Sequence, residues 1–353
     1  VPMTFMNSTF TLNKRSDLFM NVQKWLEDIR TSPVKKPMPI LSFPSIQLLG
    51  CTVNELVMDS ALQAKGMKAV ADRVDSCASV SMMDLSVEAE AFGAQARITD
   101  DEVPTIVGHI VETQEEADAL QVPAVGAGRT GIYVEAIRQA VGLITDRPVL
   151  AGVIGPFSLA GRLMGVSDAM IYCYDDPDMV HTVLKKATAF LIAYIKAYKA
   201  VGASGVLMAE PLAGLLPPAM NDEFSIPYVK EIREAVEDDS FLFGYHNCGD
   251  AVPRQMESLA ELKLSVYHMG NATPMKAALE NLPADSLVMG NIDPAGQFCN
   301  GTPDSIREAT RTLLEECSSY SNFVISSGCD IPPASRWDNI DAFFQETADF
   351  YQK

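Results

Sequence analysis

One histidine and two cysteines have the residue types and the spacing of a metal site. His246 and Cys248 stand in Gly-Tyr-His-Asn-Cys-Gly-Asp, and Cys329 stands in Ser-Ser-Gly-Cys-Asp-Ile-Pro-Pro. Side chains two apart in an extended segment point the same way, so His246 and Cys248 can face one ion. Thiolate and imidazole are common zinc ligands, and three protein ligands leave a fourth position for water or substrate. Gly249 and Gly328, one beside each thiol, are expected to permit close approach by a ligand. The pattern predicts a catalytic zinc site; the alternative is a hydrogen-bonded strand histidine with two buried thiols.

Five more polar residues follow short apolar runs that are typical of strands. Glu210 is predicted either as a fourth zinc ligand or base, or as a carboxylate that caps the following loop. His268 is a candidate to bind substrate or cofactor, with a structural role as the alternative. Asn291 and Asp293 are candidates to hydrogen-bond a polar ligand, although Asp-Pro is also an ordinary turn pair. Asp84 is predicted either to bind the cofactor or to cap a helix.

The segments that must position these side chains alternate between strand-like and helix-like patterns. Predicted strands begin at Pro39, Ser81, Val149, Gly205, Phe241, Leu264, Leu287 and Phe323. Predicted helices between them include Asp178–Ala200, Ser225–Val236, Val252–Leu262 and Pro303–Cys317. Strands that alternate with helices pair in parallel, and about eight such units predict an α/β fold of the (β/α)8 TIM barrel type. Chemistry in such barrels lies at the carboxyl ends of the strands, where the candidate residues stand.

The predicted barrel occupies a single domain, because no composition break or low-complexity linker divides residues 1–353. A helix predicted at Leu18–Arg30 adds an N-terminal helical extension over residues 1–36. The glycine-rich stretch Gly-Ala-Gly-Arg-Thr-Gly, at 126–131, has no convincing strand or helix around it. It is therefore not predicted as a phosphate-binding loop.

Composition and charge weigh against several classes of protein. The formal net charge of -19 opposes binding to nucleic-acid phosphates, which requires clustered Lys and Arg. The most apolar helical candidate, around Ala187–Val201, contains Lys196 and Lys199 and is too short and too charged to span a membrane. The first residues lack the pattern of a signal peptide, and seven cysteines in a long chain are expected to be reduced. We therefore expect a cytoplasmic protein.

The chain resembles the uroporphyrinogen decarboxylase superfamily, and within it the corrinoid branch of methylcobalamin:coenzyme M methyltransferases. The resemblance spans most of the chain and depends on four motifs: Gly-Pro-Phe-Ser-Leu-Ala-Gly at 155–161, His-Asn-Cys-Gly at 246–249, Gly-Asn-Ile-Asp-Pro at 290–294 and Ser-Gly-Cys at 327–329. In that branch the histidine and two cysteines are the zinc site, which implies His246, Cys248 and Cys329 as ligands. The resemblance also implies a (β/α)8 barrel whose mouth docks a corrinoid.

The activity that this resemblance implies is methyl transfer. The donor would be methylcobalamin or a methylated corrinoid carried by a corrinoid protein as partner. The acceptor would be a thiol such as coenzyme M, whose pKa Zn2+ lowers, or tetrahydrofolate. One alternative is a decarboxylase of porphyrinogens, but Pro39–Gln47 lacks the arginines with which true decarboxylases bind the porphyrinogen carboxylates. The other is a corrinoid- or pterin-binding barrel without catalysis, in which zinc only stabilises the fold.

Overall fold

A parallel sheet of seven strands forms the centre of the computed structural model, which describes residues 21–352. The strands in chain order are β1 (Ser79–Val80), β2 (Gln95–Arg97), β3 (Thr105–Val107), β4 (Val149–Ile154), β5 (Gly205–Ala209), β6 (Leu242–Asn247), β7 (Val266–Met269), β8 (Leu287–Ile292) and β9 (Phe323–Ser327). The sheet order is β1-β4-β5-β6-β7-β8-β9, and β2 pairs with β3 in a separate antiparallel ribbon. Every pair in the large sheet is parallel, so the carboxyl ends of its strands lie at one edge.

Helices connect the strands and cover the sheet. In chain order they are α1 (Val22–Thr31), α2 (Ser45–Leu49), α3 (Val53–Met58), α4 (Ser60–Arg73), α5 (Val87–Ala91), α6 (Gln114–Ala119), α7 (Thr130–Leu143), α8 (Pro156–Met164), α9 (Val166–Asp175), α10 (Pro177–Ala200), α11 (Pro218–Phe224), α12 (Ile226–Val236), α13 (Met256–Glu261), α14 (Met275–Asn281), α15 (Pro303–Cys317) and α16 (Trp337–Tyr351). Strands β4, β5, β6, β7 and β9 are buried along their whole length. Burial on both faces explains their largely apolar sequences.

An extended segment, residues 37–42, lies between the two edges of the sheet. On one side the Cys77 N–H donates to the Pro37 carbonyl (3.0 Å), and on the other the Met38 N–H donates to the Ile325 carbonyl of β9 (3.0 Å). The segment therefore takes the place of an eighth strand between β1 and β9. The result is a closed, TIM-barrel-like arrangement.

Two serine side chains of β9 replace part of the regular hydrogen-bond ladder along this segment. The Ser326 hydroxyl donates to the Met38 carbonyl (2.7 Å), and the Ile40 N–H donates to Ser327 Oγ (3.0 Å). Pro39, between them, has no N–H to donate. These substitutions explain why the strand predicted from Pro39 is extended chain rather than a regular strand.

The predicted TIM-barrel-like α/β fold is confirmed, and the predicted bounds of β4, β5 and α15 agree with the structure. Strands β6 and β7, which the sequence predicts over Phe241–Tyr245 and Leu264–Tyr267, end two residues later, so His246 and His268 lie inside strands rather than after them. The strand predicted from Ser81 is instead the two-residue β1, which precedes that residue.

Two of the predicted helices agree less closely with the structure. Helix α1 begins at Val22, and the first part of the predicted helix Leu18–Arg30, like most of the predicted extension, lies outside the described residues. The helix predicted over Val252–Leu262 is divided at Gln255 into a short 3-10 turn and α13. Between residues 21 and 352, no helix combines the length and the apolarity needed to cross a membrane.

Candidate metal centre

Three side chains from the ends of β6 and β9 meet at the carboxyl edge of the sheet. His246 is the second-last residue of β6, Cys248 follows that strand, and Cys329 lies two residues after the end of β9. One ligand atom from each lies within 4.8 Å of the other two. The two sulfurs are 3.9 Å apart. Residues that are distant in the sequence are thus brought together as the sequence predicted.

The sulfur separation suits zinc. Two sulfurs at roughly 2.3 Å from a tetrahedral zinc ion lie about 3.8 Å from each other. The observed 3.9 Å between Cys248 Sγ and Cys329 Sγ is close to this value. Two thiols and one imidazole are also ligands that suit zinc, whereas magnesium and calcium are bound by oxygen ligands. The geometry and the chemistry of the three side chains therefore fit this metal.

The two thiols share one hydrogen bond, in which Cys329 donates to Cys248. Accepting this bond lowers the pKa of Cys248 below its ordinary value, although burial opposes the change. Donating it, together with burial, raises the pKa of Cys329 to about 12. In the metal-free chain Cys248 is therefore the sulfur that loses its proton first. Metal binding must displace the remaining proton, because zinc binds thiolates.

The His246 ring is buried and is held from one side only. Its Nδ1 lies 2.9 Å from His268 Nδ1 and 3.2 Å from the His268 carbonyl oxygen, and the two rings meet edge to face. Its Nε2 is buried without any hydrogen-bond partner among the described residues. Burying an unpaired polar atom is unfavourable, so Nε2 is the atom of this site that most requires a ligand.

His268 lies behind His246 rather than beside an open surface. Its side chain is fully buried, and its Nε2 is 2.7 Å from Ser326 Oγ. Burial, with a smaller effect from the neighbouring His246, holds the pKa of His268 well below its ordinary value, so the ring is neutral. Both of its nitrogens are occupied by protein groups. The prediction that His268 contacts a substrate or cofactor is therefore not supported by its position.

The glycines near the thiols bring backbones together rather than opening a path for a ligand. A Cβ on Gly270 would lie 2.4 Å from the Cα of Cys248, and a Cβ on Gly249 would lie 2.4 Å from the backbone of Gly214. Gly328 approaches Asn271 in the same way. The sequence predicts that Gly249 and Gly328 permit close approach by a ligand; in the structure these two glycines and Gly270 allow the loops after neighbouring strands to pack at backbone contact.

Glu210 is not part of the metal cluster. It is fully buried after β5, and its two oxygens accept from the first backbone N–H groups of α8, those of Phe157 (2.7 Å) and Ser158 (2.8 Å). A carboxylate at a helix N-terminus is stabilised by the helix dipole and by the free N–H groups. Burial raises the pKa of Glu210 to about 7, while these hydrogen bonds lower it. The alternative that Glu210 caps the following structure fits better than a role as zinc ligand.

Asp84 is occupied by an internal ion pair. Its carboxylate accepts from the Arg129 guanidinium (2.5 Å), from the Tyr133 hydroxyl (2.6 Å) and from Ser86. The side chains of Asp84 and Arg129 are 0% and 3% exposed. The predicted contact of Asp84 with a cofactor is therefore not supported, and the capping alternative is closer to what is observed.

Asn291 and Asp293 both hold backbone, and both also line an open surface cavity of about 450 Å³. The Asn291 amide donates to the carbonyls of Gly270 (2.8 Å) and Thr273 (2.6 Å), which fixes the loop after β7. Asp293 accepts from the N–H groups of the next turn and is the ordinary Asp-Pro cap that the sequence offered as an alternative.

Two residues of this region were missed from the sequence. Arg129 belongs to the glycine-rich stretch at 126–131, which does precede a helix, α7, contrary to expectation. Ser326 contacts His268 from β9. The available signal for Ser326 was a pair of serines at the end of an otherwise apolar strand.

Comparison with known proteins assigns the family. The family model described as Uroporphyrinogen decarboxylase (URO-D) matches residues 40–350. The chain therefore belongs to the uroporphyrinogen decarboxylase family, as its motifs predicted.

Relatives within this family have two different activities. A methylcobamide:CoM methyltransferase, MtbA, from Methanosarcina acetivorans is 26% identical over 70% of this chain and 72% of its own. A uroporphyrinogen decarboxylase from Coxiella burnetii is 27% identical over 85% of this chain and 83% of its own. Identity alone therefore does not choose between them.

The solved structures agree on the fold. A methyltransferase from Methanosarcina mazei superposes with a TM-score of 0.82 over 94% of this chain and 99% of its own, at 22% identity. A B12-independent methionine synthase from Shewanella has a TM-score of 0.59 at 13% identity, covering 84% of this chain and 89% of its own. At these identities the likeness concerns the fold.

Proposed function

We propose that this chain is a zinc-dependent enzyme that moves a methyl group from a methylated corrinoid, carried by a partner protein, to a small acceptor. The observation that carries the proposal is the meeting of His246, Cys248 and Cys329 with a sulfur separation suited to zinc. The buried Nε2 of His246, which has no hydrogen-bond partner in the described part of the chain, supports the same site. Relatives named as methylcobamide:CoM methyltransferases support the donor.

The donor set favours a thiol as acceptor. Two thiolates and one neutral imidazole balance the charge of one zinc ion, so the site can take one more anionic sulfur without a large build-up of charge. When bound, zinc supplies the positive charge that lowers the pKa of an incoming thiol, as it does for water. A relative named methylated-thiol–coenzyme M methyltransferase, from Methanosarcina mazei, supports coenzyme M over tetrahydrofolate.

The protein contributes position and charge rather than a separate base. Cys248 and Cys329 are held by loops whose glycines are packed against neighbouring backbones. Glu210, which the sequence offered as a base, is engaged with the N-terminus of α8, and we assign it the role of positioning that helix. A corrinoid held by the partner protein would supply the methyl group and keep the electron pair of the broken bond, while the acceptor thiolate would form the new sulfur–carbon bond. The role of this chain would be to hold and orient that acceptor.

The decarboxylase alternative rests on relatives of equal identity. Two observations favour methyl transfer over it. Residues 39–47 contain no arginine to bind porphyrinogen carboxylates. The structure also places two thiols beside a buried imidazole, a donor set with no role in removing a carboxyl group from a polyacid.

The proposal extends to organisation and location. We propose that residues 1–353 form one barrel domain with residues 1–36 as an extension, which agrees with a family match over residues 40–350. We also propose a cytoplasmic location, because a reducing compartment keeps both thiols free for metal.

Metal analysis and a transfer assay test the function together. The purified chain is expected to contain about one zinc ion. It should also demethylate methylcobalamin with coenzyme M, and more slowly or not at all with tetrahydrofolate. Cys248→Ser and Cys329→Ser should lose both zinc and activity, because a serine hydroxyl does not ionise to replace a thiolate. Cys299→Ser, a partly exposed cysteine outside the site, is the matched control and should keep both.

Three results would contradict the proposal. Full activity in metal-free protein would remove the role of zinc. Conversion of uroporphyrinogen to products with fewer carboxyl groups, without methylcobalamin turnover, would establish the decarboxylase instead. A zinc-containing chain inactive in both assays would favour the binding barrel without catalysis.

A further inference from the structure

We propose that Ser326 and His268 form a directional hydrogen-bond relay that fixes the tautomer of His246 and so presents an unprotonated Nε2 to the metal. The relay begins at the Met38 carbonyl. This inference rests on the proposed function, because it assumes that the site holds zinc. It makes His268 a positioning residue rather than a residue that touches substrate.

The direction of the relay is set at its far end. The Met38 carbonyl can only accept, so the Ser326 hydroxyl, 2.7 Å away, must donate to it. That donation uses the one proton of the hydroxyl. Ser326 Oγ must therefore accept from His268 Nε2, also 2.7 Å away, and His268 carries its proton on Nε2.

The same logic continues to the metal ligand. A neutral His268 with its proton on Nε2 has a lone pair on Nδ1, which lies 2.9 Å from His246 Nδ1. His246 must then carry its proton on Nδ1. A second contact requires the same proton, because Nδ1 of His246 is also 3.2 Å from the His268 carbonyl oxygen, which can only accept.

The consequence falls on the buried Nε2 of His246. In a neutral ring with a proton on Nδ1, Nε2 has a lone pair, which is the form that binds zinc. This nitrogen has no hydrogen-bond partner among the described residues, so the fold leaves it both unprotonated and unsatisfied. His246 Nε2 is therefore in its metal-binding form before any metal is bound.

The relay also connects the metal centre to closure of the barrel. Met38 belongs to the extended segment that lies between β1 and β9, and Ser326 belongs to β9. A regular ladder at this position would have used the Met38 carbonyl for a backbone N–H. The Ser326 hydroxyl donates to that carbonyl instead, so the contact that helps to close the barrel is also the first hydrogen bond of the relay.

The tautomer can be observed directly in the metal-free native chain. The sequence has four histidines, so 15N labelling of histidine gives a small set of ring signals. Substitution of the other three histidines in turn assigns them. We expect His246 with Nδ1 protonated and Nε2 unprotonated, and His268 with the opposite pattern. A metal-free chain in which His246 carries its proton on Nε2 would overturn the proposal.

Paired serine variants test the origin of the relay. Ser326→Ala removes both the donor to Met38 and the acceptor for His268, and we expect zinc affinity to fall about 10–100-fold in a chelator competition. Ser327→Ala is the matched control, because this serine is equally buried on the same strand but bonds to Ile40 outside the relay. It should keep native zinc affinity. Equal loss in both variants would show that general damage to β9, not the relay, weakens the site.

Variants of His268 test the direction. His268→Gln keeps an acceptor for His246 and a donor for Ser326 on one side chain, so zinc affinity should stay near the native value. His268→Leu keeps bulk but neither group, and its affinity should fall as in Ser326→Ala. If Gln and Leu weaken zinc binding equally, the polarity of the relay has no role. Circular dichroism of each variant checks that it is folded.

Failure of this inference can be told from failure of the proposed function. The tautomers and the zinc affinities are measured without any methyl transfer. A native chain with the expected tautomers and affinities but no transfer activity would retain the relay and lose the function. An active zinc enzyme with the opposite His246 tautomer would retain the function and lose the relay.

Discussion

Replacing Arg129 with methionine should destabilise the chain more than any change at a surface ion pair. The Arg129 guanidinium donates to Asp84 (2.5 Å), Glu90 (2.6 Å) and Ser86 (2.7 Å). The Asp84 side chain is 0% exposed, so it cannot recover water when its partner is removed. Arg129→Met fills similar space and removes only the charge and its hydrogen bonds.

The expected magnitude follows from what remains around Asp84. Breaking a buried pair by removing one partner costs about 3–5 kcal/mol, because an uncompensated charge stays in the interior. Asp84 keeps the Tyr133 hydroxyl and two hydrogen bonds from Ser86, which offset part of that cost. We therefore expect a loss near the lower limit, about 3 kcal/mol, or roughly 100-fold in the folding equilibrium.

Equilibrium unfolding in urea, followed by circular dichroism, measures this loss. Arg138→Met is the matched control, since Arg138 lies on the helix that Arg129 precedes and pairs with Glu135 at the surface, where the side chains are 57% and 41% exposed. It should change little, because exposed pairs are weak. Adding Asp84→Asn to Arg129→Met should restore part of the loss by removing the stranded charge. The reasoning fails if Arg129→Met and Arg138→Met have similar effects.

Two further predictions concern pH and backbone contact. The pKa of Glu210 is raised to about 7 in the folded chain from its ordinary 4.5, so the folded state binds its proton more tightly and this residue's contribution to stability is lost as pH rises from 4.5 to 7. The expected loss of unfolding free energy is on the order of 3 kcal/mol. Glu210→Gln should remove this part of the pH dependence of urea unfolding. If the variant keeps the pH dependence of the native chain, the raised pKa is contradicted. Gly270→Ala places a Cβ 2.4 Å from the Cα of Cys248. The variant should lower zinc affinity at least tenfold, because the clash displaces the thiol. Gly142→Ala, whose Cβ would have no atom within 4 Å, is the control and should keep native zinc affinity. Native affinity in Gly270→Ala would show that the two loops can separate without moving the sulfur.

The sequence was most informative where one physical requirement decided the residue type. Strands β4 and β5 are buried on both faces, and burial leaves a continuous apolar run that marks their bounds. The convergence of His246, Cys248 and Cys329 could be predicted because side chains two apart in an extended segment point the same way and the carboxyl ends of parallel strands lie at one edge. Neither inference needed knowledge of which loop packs against which.

The sequence left two interpretations open where the partner of a polar group lies elsewhere in the chain. Glu210 has the sequence context of a zinc ligand, but its oxygens are taken by the N-terminus of α8, which follows β4 rather than its own strand. Asp84 is neutralised by Arg129, which stands 45 residues later in a stretch with no evident role. The spacing of residues along the chain does not predict these pairings, because they form only when the barrel brings distant segments together.

The hydrogen bonds of the polar residues at the strand ends distinguish residues that hold the backbone from a residue that can bind a ligand. Glu210, Asn291 and Asp84 make several bonds to protein groups, and residues satisfied in this way hold loops and helices in place. His246 differs, because Nδ1 is bonded, whereas Nε2 is buried and has no hydrogen-bond partner within residues 21–352. Burying an unsatisfied nitrogen has a free-energy cost, which a ligand bound to Nε2 would recover. The same reasoning explains why His268, with both nitrogens bonded, supports the centre from behind, which agrees with the structural role that the sequence offered as its alternative.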